Sequence, residues 1–145
     1  MRTTLRRLIL AMLVAVMVAV VAAPALARAP RLRFAVDGAR LAADRHTVVV
    51  SGTYRCPPLD LDVPGGNTID LTVDQGEAHG IGFVTIETCD GTTQRWREEV
   101  TTFGEPVFTH GRATVLASGV IAARDAAGQD VRLQVFLDEQ IRIRG

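Results

Sequence analysis

His46, His79 and His110 are the three histidines of this chain, and the chemistry open to them is metal ligation or proton transfer near neutral pH. They lie 33 and 31 residues apart, which matches no local zinc pattern such as H-E-x-x-H, so no metal site is assigned to them. Each stands beside turn residues (Asp44-Arg45, Gly80, Gly111), where a solvated loop histidine is expected. A hydrolase or lyase would have to use His79 or His110 with an acid such as Glu77. Ser51-Gly52 and Ser118-Gly119 both lack the glycine that a nucleophile elbow requires. Glu98 and Glu99 are neighbours, so on a strand they face opposite sides and cannot act as a glycosidase pair; a solvated position is expected for one or both. No catalytic residue is assigned.

Ligand binding has four candidate residues. Asp60 and Asp62, followed by Pro64-Gly65-Gly66, resemble the opening of a calcium loop, but the twelfth position of an EF-hand would be Leu71, not Glu. A looser calcium site would need Asp70 or Asp74, and no cofactor is expected. Tyr54 and Trp96 could form an exposed aromatic platform, or could pack around Cys56 in the core.

Those residues must be positioned in a compartment that the first 27 residues specify. Arg2, Arg6 and Arg7 precede an unbroken apolar run from Leu8 to Ala23, and Ala25-Leu26-Ala27 is a small-x-small cleavage site. Pro24 ends the run short of a membrane span, so a signal-peptide helix cleaved between Ala27 and Arg28 is expected. Residues 1–27 are then the signal peptide and residues 28–145 the single mature domain, secreted or cell-wall associated, with no membrane attachment after cleavage. In that oxidising setting Cys56 and Cys89, the only cysteines, are expected to form a disulfide.

Removal of the leader takes away three Arg and no acid, leaving 13 Arg against 16 acids, a net charge of −3 with His neutral. That balance argues against nucleic acid or anionic membrane as a partner. All 16 basic residues are Arg. A monomer with an extracellular protein or glycan partner is expected.

The mature chain alternates with period two. Leu32, Phe34 and Val36 share one face, as do Val48, Val50, Gly52, Tyr54 and Cys56, and then Ile69, Leu71 and Val73. Residues Ile81 to Ile86 are β-rich, and Asp90-Gly91 marks a tight turn into Gln94 to Thr101. A simple two-residue hairpin there pairs Thr85 with Trp96 and leaves Glu87 on an apolar face, so a bulge or a sheet edge is required. Ala113 to Ala123 is apolar on both faces, as a central strand would be. Val131, Leu133, Val135, Leu137, Ile141 and Ile143 share parity along one long strand, or two joined near Asp138. Seven or eight strands with no helical stripe predict an all-β fold, an immunoglobulin-like antiparallel β-sandwich, with a small barrel or jelly roll as the alternatives.

Ser51-Gly52-Thr53-Tyr54-Arg55-Cys56, Gly80-Ile81-Gly82, Cys89-Asp90-Gly91, Trp96, Phe108, Gly111, Ala113 and Val115 together resemble a group of small secreted actinomycete proteins of unknown function. The resemblance covers about residues 31–123 and implies a secreted β-sandwich with one disulfide, without any activity to transfer. The segment Pro57 to Gly66 is longer than that group leads one to expect. The expected function is a non-enzymatic binding or cell-envelope-associated module presenting loops such as 57–68 and 102–111. The alternatives are the small hydrolase and an extracellular protease inhibitor using a rigid 57–66 loop.

Overall fold

β-branched and aromatic residues alternating with polar ones give each segment one face to bury, and every regular element among the described residues is a strand. The computed structural model describes residues 30–61 and 66–145. The expected signal peptide, its Ala27/Arg28 cleavage site and Asp62 lie outside the described residues.

The strands are β1 (Arg33–Leu41), β2 (Thr47–Arg55), β3 (Asp60–Leu61), β4 (Thr68–Gln75), β5 (Ala78–Thr85), β6 (Thr93–Thr102), β7 (Gly111–Arg124) and β8 (Asp130–Arg144). They hydrogen-bond in the order β7-β4-β5-β6-β2-β1-β8, and β8 pairs again with β7, so seven strands close into a barrel. Two-residue β3 lies on β7 at Asp60–Arg124 and Leu61–Ala123, in line with β4. This overturns the immunoglobulin-like sandwich. A sandwich needs two facing sheets with free edges, whereas β1 meets β8 in parallel at Ala39–Ile143 and Arg40–Arg144, leaving no such edges.

Alternation along each strand fills the interior. Val48, Val50, Ile69, Leu71, Val73, Val100, Val115 and Ile121 are fully buried. In β1 the pairing register shifts between Val36 and Gly38, so Asp37 is an extra residue and the inward set changes from Phe34 and Val36 to Ala39 and Leu41. β7 is the central strand anticipated, flanked by β4 and β8 and lined inward by Ala113, Val115, Ala117, Ile121 and Ala123. β8 is one strand through Asp138.

The β5–β6 connection departs from the simple hairpin. Only Gly80–Thr102 and Ile81–Thr101 pair, a register one residue away from the expected one, and Glu87 stands exposed outside the strands. Where β5 and β6 part, Glu98 turns inward and its Oε1 accepts the Phe83 N–H at 3.2 Å, in place of a ladder bond. Glu98 is therefore half-buried, while Glu99 is the solvated one of the two. Residues 86–92 reach across to residues 56–59 instead, with Leu59 N–H donating to Cys89 O and Gly91 N–H to Cys56 O. At the opposite end Phe108, fully buried, closes the barrel, and Gln75 pins its loop by hydrogen bonds to Thr109 and to the Arg112 carbonyl.

Two turns are fastened by carboxylates. Asp44 accepts the Thr47 N–H and hydroxyl and the His46 N–H, and Asp90 accepts the Thr92 hydroxyl and N–H. The Thr47 backbone bond is the main reason Asp44 titrates below its ordinary value, and the Thr92 hydroxyl is the main reason for Asp90. A carboxyl whose folded pKa is depressed contributes stability that is complete above the unfolded value and is lost as pH falls through the folded one. Stability is thus expected to drop as pH falls below 3.8. Denaturant melts at about pH 5 and about pH 2 should show a smaller drop in an Asp44→Asn, Asp90→Asn variant than in wild type. Equal drops would discount the two turns.

Candidate functional site

Cys56 and Cys89 are joined in a disulfide with Cα atoms 5.1 Å apart. Of the two arrangements open to Tyr54 and Trp96, the structure has the packed one: they are 5% and 8% exposed and belong to the core, and the exposed platform is not formed. The Trp96 ring crosses β2 above Gly52 and stacks on Phe34 with centroids 4.9 Å apart. Its Nε1 is buried without a hydrogen-bond partner among the described residues, a cost of about 1–3 kcal/mol that the packing of the ring must outweigh. Neither aromatic reaches a ligand at the surface.

The histidines do not converge on one centre. His46 Nδ1 lies 3.1 Å from Thr102 Oγ1, and the His110 ring lies beside Gly145. His79 Nδ1 pairs with Asp74, its cross-strand partner, rather than with Glu77. The Phe103 ring is tilted against that of His79, with centroids 6.4 Å apart. The cleft containing His110 is lined also by Leu41, Ala42, Ala43, Arg45 and Thr109, and includes neither His79 nor Glu77. No three His, Cys, Asp or Glu among the described residues are grouped to hold a metal ion. Asp60 is exposed at the β3–β7 pairing, while Asp70 and Asp74 project from β4, so Asp60 has no described carboxylate partners for a calcium loop.

Large apolar side chains do stand exposed on the outside of the barrel. Facing residues run across β5, β4, β7 and β8 in the row Phe83–Asp70–Ser118–Phe136. A neighbouring row is Ile81–Thr72–Leu116–Asp138, and Asp74–His79 belongs to the next. Phe83 is 57% exposed, Phe136 81% and Val120 52%. Phe83 and Phe136 stand three strands apart on the curved outer wall, with a carboxylate and a hydroxyl in the row between them, and such exposed apolar side chains are candidates for a binding surface. Asp70, Asp74 and His79 were candidates from sequence, but the exposed Phe83, Phe136 and Val120 were not. The signal was available: Phe83 alternates with Gly82 and Val84, and Phe136 with Val135 and Leu137, so both had to face outward.

No curated protein and no solved structure matches the chain. The profile of a family of unknown function (DUF6299) matches residues 30–133, from the approach to β1 into the first part of β8, somewhat further than the resemblance read from the motifs. With most of the barrel inside that match, the chain belongs to the DUF6299 family of unknown function.

Proposed function

We propose that this protein is a secreted, non-catalytic module that binds a neutral glycan on the outer face of β5, β4, β7 and β8. The observation that carries the reading is the row Phe83–Asp70–Ser118–Phe136. Exposed phenyl faces are electron-rich and suit the C–H faces of sugar rings, while a carboxylate and a hydroxyl between them suit sugar hydroxyls. Three strand spacings of about 4.8 Å put about 14 Å of barrel wall between the two phenylalanine backbones, so a short oligosaccharide would follow the curve of the wall across the strands. The disulfide accords with an oxidising compartment, and the apolar leader with export.

The test is retention of the purified protein on a panel of insoluble polysaccharides. Phe83→Ala and Phe136→Ala are each expected to weaken retention by up to about tenfold, the worth of one aromatic contact. Both side chains are exposed, so stability should change by no more than about 0.5 kcal/mol. Retention unaltered in both variants, or absent from wild type, would remove the glycan reading. Asp74–His79 lies at the edge of the same face, so release of soluble sugar from a retained polysaccharide would replace binding with hydrolysis as the function.

A further inference from the structure

We propose that the cleft between the approach to β1, the end of β2 and the disulfide loop is a binding site for a multivalent phosphate anion. This goes beyond the glycan reading, and its residues lie on none of the four strands that carry that face. The cleft, about 940 Å³, is lined by Arg31, Arg33, Arg55, Pro57, Pro58 and Gly91 among others, and none of its lining residues is Asp or Glu.

The antiparallel register sets Arg33 directly opposite Arg55. Like charges opposed across two strands destabilise a sheet, and an anion held between them would reverse the sign of that contact. Arg55 is held for the purpose: its Nε donates to the Gly91 carbonyl at 2.8 Å, which fixes the guanidinium plane and leaves both Nη groups to donate elsewhere. Gly91 is itself tied to Cys56 through its N–H, so the disulfide loop sets the position of one of the three cations. The acid nearest in sequence, Asp90, is engaged by Thr92 and Gln94. Along the same outward face Arg95 lies opposite Thr53 and Arg97 opposite Ser51, continuing the cationic band away from the cleft.

The ligand chemistry follows from charge and geometry. Three arginines lining one cleft call for about two to three negative charges in a small volume. Phosphate supplies them on oxygens that match the guanidinium fork, and a neighbouring phosphate along a chain would meet Arg95 and Arg97. The phosphate could be free or borne on a polymer, and the probes separate these sources.

Inorganic tripolyphosphate and a short poly(glycerol phosphate) are titrated into the full domain by calorimetry at about 0.05 M and about 0.2 M salt. Saturable binding of at least one is expected, weaker at the higher salt. Arg33→Gln combined with Arg55→Gln should weaken it by at least about tenfold with the melting temperature unchanged, whereas Arg132→Gln on β8 should leave it within about twofold. The tighter of the two probes identifies the source. Absence of saturable binding by both, equal weakening by Arg132→Gln, or tighter binding of a single-stranded oligonucleotide would overturn the proposal.

Discussion

Gly52→Ala is expected to destabilise the barrel by about 3 kcal/mol, at the upper end of overpacking effects. A Cβ built on Gly52 would lie 2.0 Å from the Ala35 carbonyl oxygen and 2.5 Å from the Trp96 ring. The first neighbour is backbone of the adjacent strand, and the second is a ring already wedged against Phe34. Neither can retreat without opening the β1–β2 ladder or the core. Gly38→Ala is the matched control, since a Cβ there meets nothing within 4 Å. Denaturant melts should separate the two variants clearly; a Gly52→Ala protein within about 1 kcal/mol of wild type would show that β1 and Trp96 shift freely.

Removal of the disulfide has the second large effect. Cys56 and Cys89 are separated by 33 positions, and opening a loop of that length should cost about 3–4 kcal/mol through the entropy of the unfolded chain. That is a substantial share of the roughly 5–15 kcal/mol available to a domain of this size. Reductant should lower the melting temperature of wild type, and the Cys56→Ala, Cys89→Ala variant should melt low with or without it. A melting temperature indifferent to reductant would refute the estimate. The backbone bonds Leu59–Cys89 and Gly91–Cys56 remain in the variant, so the loops are held more loosely, not released.

The strands were legible in the sequence because each has one buried face, and Ile69, Leu71 and Val73 against Asp70, Thr72 and Asp74 state that plainly. Whether the sheet closes was not, since alternation is the same in a sandwich and a barrel. Closure depends on Ala39 meeting Ile143, a contact between distant residues that no local pattern encodes, and on the bulge at Asp37 that reverses parity within β1. The Asp74–His79 pair was within reach. Gly76 at φ 61° and Glu77 form a two-residue turn between the paired residues Gln75 and Ala78, and counting one step back sets Asp74 opposite His79. The Arg33–Arg55 opposition was not, because it needs the register across the β1 bulge.

The parallel contact of β1 with β8 has a kinetic meaning as well. The first strand finds its second neighbour only at Ile143 and Arg144 of β8, 104 positions further along the chain, so the barrel cannot close until β8 has arrived. Pairings this distant in sequence fold slowly, because the intervening chain must be ordered before the contact rewards it. Until then β1 and β7 each present an unpaired margin, the usual starting point for intermolecular strand addition. The chain's most vulnerable moment is therefore set by the arrival of β8, through two residue pairs.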